Sequence, residues 1–398
     1  MVKRLRVLLV APFLPHRNVE HAGGRFVYWL VEELGRRVDL CLLTRVSPDE
    51  EPHVRDVWGL CREVRSIRYP FPPWQAGHFL TKARSYIALG RMAGDWLKRE
   101  RFDLVQVEHV ETGFAIRLPR GIPSVIDCHD VLTKPRERIY RDSRGITRVS
   151  SGLAFLGTRV LERRILGKFS LALVRSSVDE EYLAGLQAGI AVRRVPHPCG
   201  LDFTGRPRSH DGKTILFFGA MHRSLNVDAV LYFAEKVFPR ILEKVPESRF
   251  AVAGDNPPDI VRGLAREGSR IEVLGRVDDL EGCYVSATVF IAPILVGGGI
   301  IVKILDAMAA GIPVVTTTFG NEGIGAAPDE EVVVADGPDA CADAVIRLLS
   351  DPEANRRIGE RGREFVRGTF SAEAIGRVVV ETYRELRSAS RPEAEGTG

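Results

Sequence analysis

Short apolar runs recur along the chain, separated by stretches long enough to form a helix. In the first half they lie at 5–11, 38–44, 64–69, 104–108, 124–128, 171–175 and 191–195. In the second half they lie at 214–218, 249–253, 271–275, 289–293, 314–317 and 332–335. Runs this short and this continuous read as strands of a parallel sheet covered on both faces. Amphipathic helical patterns intervene or follow, at about 25–36, 80–99, 351–369 and 370–386. Strand and helix in alternation predict an α/β fold. A length of 398 residues favours two domains over one.

One stretch concentrates the chemistry: VFIAPILVGGGIIVKILDAMAAGIPVVTTT, residues 289–318. A strand runs into Gly297, Gly298 and Gly299. A helical pattern follows, with Ile301, Ile304, Leu305 and Met308 on one face, and Gly311 and Pro313 end it. Glycines let a ligand approach the backbone closely. The helix start offers an anion free N–H groups and the positive end of a dipole. Lys303, in the first turn, can neutralise a phosphate there. Asp306 lies three residues on, on the same side, where a carboxylate can accept hydrogen bonds from ribose hydroxyls. The plainer alternative is a loop glycine cluster followed by an ion pair on a solvated helix face. A second strand-to-helix loop, with Gly23 and Gly24 at the helix start, is a second anion-site candidate. It does not match the dinucleotide fingerprint G-x-G-x-x-G, which argues against a dehydrogenase.

Composition narrows the field. A formal net charge of +4, with no interleaved basic and aromatic motif, does not describe a nucleic-acid binder. Six cysteines without C-x-x-C spacing argue against zinc and against a disulfide framework, and fit a reducing, cytoplasmic setting. The basic and apolar start of the chain ends at Pro12 and Pro15 without a cleavage site, and reads as a strand rather than a signal peptide. No stretch approaches the ~18 apolar residues of a membrane span. Ligands of open α/β sheets gather beyond the carboxyl ends of strands, which singles out His109, Asp127, His129 and Asp130. A metal centre at 127–130 is set aside because a strand sends alternate side chains to opposite faces. Residues 134–168 hold ten Arg or Lys against three Asp or Glu, with basic and apolar positions mixed. They form either a solvated basic face or a peripheral contact with anionic membrane.

The segment GGGIIVKILDAMAAGIPVV resembles the donor site of glycosyltransferase family 4, whose usual form is a Gly-rich loop and then Lys-(Ile/Leu)-Leu-Glu-Ala-Met-Ala-x-Gly-x-Pro-Val-Val. Further likenesses lie in GAMHRSLNVDAVLYF from Gly219, in VPHPCGLDF near 195–203, and in FGNEGIG, which contains Glu322. The resemblance implies a GT-B fold, two Rossmann-like doubly wound domains facing across a cleft. It places an acceptor-side domain at 1–195 and a nucleotide-sugar-binding domain at 196–369. A helix at 370–388 would return to the first domain, and a disordered tail would follow at 389–398.

By the same resemblance the protein is a retaining glycosyltransferase. It would move a hexosyl group from a nucleoside-diphosphate sugar to a hydroxyl of a glycan, lipid or small molecule, without a metal or other cofactor. Lys303 would contact the diphosphate and Asp306 the ribose. His129 would approach the donor sugar, and Gly23, Gly24, Gly219, Gly297, Gly298, Gly299 and Glu322 would line the donor. The chain departs from the family in having Asp306 for Glu and Gly298 for an earlier Glu. Ala220 and Leu225 stand at the loop positions that often hold Arg and Lys, so Arg223 or His222 is expected to supply the missing charge. Two alternatives follow: a sugar-nucleotide epimerase of the same fold, and a nucleotide-binding protein with a degraded site.

Overall fold

The computed structural model describes residues 4–19, 22–70, 79–201, 203–295 and 300–390. The three loop glycines Gly297, Gly298 and Gly299, most of the 69–74 loop and the tail beyond 390 lie outside the described residues. The chain forms two compact units, one from 1–197 together with 375–398, the other Pro198–Ala374.

The first unit is built on a parallel sheet: β1 (Arg6–Ala11), β2 (Asp39–Val46), β3 (Glu63–Arg68), β4 (Leu104–Glu108), β5 (Ser124–Asp127), β6 (Leu171–Val174) and β7 (Ala191–Arg194). Their order is β3-β2-β1-β4-β5-β6-β7. The sheet is covered on both sides, as continuous apolar strands require. Val7, Leu9 and Ala11 of β1 enter one core with Leu30 and Leu34 of the helix Ala22–Arg37. Leu8 and Val10 enter the other, with Leu89 and Trp96 of the helix Phe79–Arg99. The last helix, Ala372–Ala389, adds Ile375, Val379, Val380 and Tyr383 to the first of these cores.

The second unit repeats the plan with β8 (Thr214–Phe218), β9 (Arg249–Ala253), β10 (Ile271–Gly275), β11 (Val289–Ala292), β12 (Val314–Thr316) and β13 (Val333–Val334). The order is β10-β9-β8-β11-β12-β13, again parallel. Both sheets therefore reverse direction of growth beside their first strand, between β1 and β4 and between β8 and β11. Such a switch point opens a crevice beyond the carboxyl ends of two neighbouring strands, and ligands of this fold class sit there.

Candidate functional site

In the second unit the switch point lies beyond Phe218 and Ala292. The chain leaves β8 through Gly219 and enters the helix Ser224–Tyr232. It leaves β11 toward the helix Val302–Ala309. Gly219 is a glycine for a steric reason. A Cβ there would lie 2.8 Å from Asn226 Nδ2 and 2.9 Å from Lys303 Nζ. Gly254, at φ 151°, allows the β9 turn to rest on the Gly219 carbonyl, 1.9 Å from where a Cβ would be.

Lys303 Nζ donates to Asn226 Oδ1 at 2.7 Å, while Asn226 Nδ2 donates to the Ala220 carbonyl at 2.8 Å. Asn226 is thus oriented by the backbone and in turn orients the ammonium. The ammonium also lies 4.3 Å from the centre of the Phe217 ring, within range of a cation–π attraction. Burial pulls the Lys303 pKa down to about 7, and the charge of Arg223 pushes the same way. Arg223 is exposed at the N-cap of Ser224–Tyr232. Two cations and the starts of two helices therefore serve one small region, an arrangement that suits an anion.

Asp306 is buried and points elsewhere. Its Oδ1 accepts from Gly200 N at 2.9 Å and Leu201 N at 3.2 Å, with Cys199 Sγ at 3.5 Å. Among the described residues Oδ2 accepts none. Burial lifts its pKa to about 6 against those hydrogen bonds. The plain alternative of a solvated Lys303–Asp306 ion pair is therefore corrected. Asp306 is buried and Lys303 half-buried, and each has a different partner. Glu322 is exposed at the end of the five-residue helix Thr318–Glu322, whose start is capped by Thr317 Oγ1 accepting from Gly320 N.

In the first unit a polar cluster sits where β4, β5 and β6 end. Register pairs Glu108 with Asp127 and Asp127 with Leu173. His129 Nε2 lies 2.8 Å from Glu108 Oε2, whose other oxygen accepts from Gln106 Nε2 at 2.6 Å. Tyr383 donates its hydroxyl to Gln106 Oε1. Arg175 closes the group, paired with Asp127 and donating to the Val195 carbonyl at 2.8 Å. The His129 ring stacks on His109 with centres 4.1 Å apart. His109 holds a left-handed φ of 64°, uncommon for a residue with a Cβ. Its N–H donates to the Asp127 carbonyl at 3.0 Å, which helps to fix it.

Burial drives Glu108 up to about 7 against Gln106 and Arg175, and takes His197 down to about 3. Gly23, in the first turn of Ala22–Arg37, faces the same rings. A Cβ there would meet His109 at 3.6 Å and His129 Nδ1 at 3.8 Å, ordinary contact distances. Packing therefore does not require a glycine at 23. Gly24 lies beside it, buried, in the same turn.

The sequence argument against metal at 127–130 needs correction. Asp127 and His129 are two residues apart and share a side, and Glu108 joins them from the neighbouring strand. One ligand atom from each lies within 4.8 Å of the others. The cation actually present in that cluster is the Arg175 guanidinium. Glu108, Gln106, Arg175 and Asn226 were not singled out from sequence. Each joins its cluster only through strand register or helix placement, and the one legible signal was the position of Glu108 and Arg175 at or just beyond a strand end.

Two doubly wound units, one of them with cations gathered at its switch point, define a protein of the Rossmann-like α/β class. Within that class, a family model described as "Glycosyl transferases group 1" matches residues 212–351, and one described as "Glycosyl transferase 4-like domain" matches 22–200. The chain belongs to the group 1 glycosyltransferases of family 4 type and has their GT-B fold. It is 29% identical over 223 residues to a phosphatidyl-myo-inositol mannosyltransferase of Mycobacterium tuberculosis, covering 52% of this chain and 57% of that one. The chain spans about half the length of the curated relatives it matches, 43% and 57% for two of them. Among solved structures it is similar to sucrose-phosphate synthase from Thermosynechococcus elongatus. The TM-score is 0.65 at 18% identity, over 96% of this chain and 100% of that one. It is also similar to HepE of Anabaena in complex with UDP, with a TM-score of 0.61 at 12% identity, over 96% and 100%.

Proposed function

We propose that this protein is a retaining hexosyltransferase that takes its sugar from a nucleoside diphosphate and delivers it to an acceptor hydroxyl, without a metal. One observation carries the reading: Lys303 is held by Asn226 beside Gly219, at the switch point of the second sheet, with Arg223 close enough to depress its pKa. A half-buried lysine poised near neutrality, beside a second cation, gains from a dianionic partner. The UDP in the HepE complex and the mannosyltransferase relative point the same way. Membership of a transferase family weighs against the epimerase alternative.

The second unit is the donor half. Lys303 and Arg223, with backbone N–H groups of Gly297, Gly298 and Gly299, offset the charge that grows on the departing diphosphate as its bond to the anomeric carbon breaks. Preorganised charge of this kind is the main source of catalysis in such chemistry. The ribose falls to Asp306 through Oδ2, and Gly219 and Glu322 complete the donor contacts of this unit. The first unit is the acceptor half, with His129 held by Glu108. The acceptor oxygen attacks the face from which the diphosphate leaves, and its proton passes to the leaving phosphate oxygen, so configuration is retained.

The test is thermal unfolding against a panel of nucleoside diphosphates and their sugars, with a chelator present. A ligand at about 100 times its Kd adds roughly 2.7 kcal/mol. One nucleotide should shift the transition, and Lys303→Ala should abolish the shift and lower turnover by roughly 10²–10³. No shift with any nucleotide, or near-normal turnover in Lys303→Ala, would overturn the proposal.

A further inference from the structure

Residues 133–166 fold as a helical hairpin on the first unit, Thr133–Asp142 followed by Gly145–Leu166. The second helix is anchored at its C-terminal end, where Glu162, Ile165 and Leu166 are buried. Glu162 accepts from Leu132 N at 2.7 Å and Thr133 N at 3.0 Å. Nearer the tip, Phe155 stacks on Tyr140 of the first helix, ring centres 5.8 Å apart. These contacts occupy one side of the helix.

The opposite side is apolar and uncovered. Ile146, Val149, Leu153, Leu156 and Val160 are 89%, 65%, 68%, 56% and 49% exposed. Their spacing of three and four residues puts all five on a single stripe. Exposed apolar residues scattered singly need no explanation, but a contiguous row does. At 1.5 Å per residue the row runs roughly 20 Å along the helix.

The surroundings of the row select its partner. By helical position Arg163 borders the row on one edge and Arg164 closes the anchored end, while Arg159 lies further round and Arg148 packs over the Tyr140 ring on the hairpin side. All four are exposed. The only acid in Gly145–Leu166 is Glu162, which is buried. The three-four spacing would also suit a coiled-coil seam with a second copy of this chain. A second copy of this helix, however, would bring arginines against arginines with no exposed carboxylate of its own to meet them, and like charges repel. A surface that is apolar in its interior and negatively charged at its rim matches both features. That description fits a bilayer containing anionic lipids.

We infer that Gly145–Leu166 is a membrane-docking helix, lying in the interface of an anionic bilayer with the Ile146–Val160 row toward the acyl chains and its arginines at the headgroups. No helix among the described residues is long and apolar enough to cross a membrane, so the contact is peripheral. The inference stands apart from the donor reading, since it rests on a surface that plays no part in nucleotide binding.

The experiment uses the full chain, without nucleotide, and sedimentation with vesicles. One set is phosphatidylcholine alone and the other phosphatidylcholine mixed with phosphatidylglycerol. The protein should bind the mixed vesicles and not the neutral ones, and added salt should weaken binding. Ile146→Ser with Leu153→Ser and Leu156→Ser should abolish it. Arg163→Gln with Arg164→Gln should weaken it by roughly fivefold for each arginine. All five positions are exposed, so thermal unfolding of both variants should match that of the parent. Failure to bind anionic vesicles overturns the inference, as does equal binding by the variants. A dimer that the triple serine variant converts to monomer also overturns it, by assigning the row to a second copy.

Discussion

Lys303 keeps its ammonium where water cannot reach it easily, and this has a consequence that pH can expose. Its pKa falls from 10.5 in an unperturbed chain to about 7 in the fold. Between those values the unfolded chain binds a proton that the folded one has released, so stability rises with pH across that window. Below about 7 both states are charged and the full cost of burying the ammonium remains. Replacing the side chain by an apolar one of similar length removes the dependence. The difference in stability between Lys303→Met and the parent, followed by urea unfolding from pH 7 to 10, should therefore shrink steadily as the parent catches up. A difference that stays constant would mean that the ammonium is not buried. Lys303 was legible in the sequence because the glycines before it and the helix after it lie in one continuous stretch. Its partner Asn226 was not, because 77 positions separate the two and only the β8–β11 pairing brings them together. The pairing of Glu108 with His129 was hidden for the same reason, since Glu108 ends β4 and His129 lies just past the end of β5.

The helices and strands themselves were largely written in local pattern. The strands at 214–218, 249–253 and 271–275 have the bounds read from sequence: the first two are near-continuous apolar runs in the sheet interior, while β10 at the sheet edge alternates half-buried and exposed positions. Helix interiors were less legible. The helical segment that follows Gly219 is broken by a π-turn at Phe233–Val237, just before Pro239. Proline lacks the N–H that would continue the ladder, and the turn absorbs the mismatch. The hairpin at 133–166 was visible only as a basic and apolar mixture. What distinguishes its two sides is Glu162, whose carboxylate ties the second helix to the start of the first. Glu162→Ala should cost about 1–3 kcal/mol, because it strands the buried N–H groups of Leu132 and Thr133. Urea unfolding would read this directly, and a loss below the error of the method would show that the hairpin is held elsewhere.

At the scale of the molecule, the chain leaves its first unit at His197 and re-enters it at Ile375. The final helix is part of that unit's core, through Ile375, Val379, Val380 and Tyr383. Burying such side chains is worth roughly 1.5–3 kcal/mol each, so the four together rival the whole stability of a domain. A chain ending at 371 should therefore lose the cooperative melting of its first unit while Pro198–Ala374 keeps most of its own. Two transitions in the parent against one in the truncated form, by calorimetry, would bear this out, and an unchanged pair would refute it. The order of synthesis gives this arrangement a cost in time. The half that leaves the ribosome first is the half completed last. Between His197 and Ile375 the whole second unit must be made, which at 5–20 residues per second takes roughly 10–40 s. Throughout that interval the nascent first unit carries an open apolar face, so the cell must shelter it until the last helix arrives.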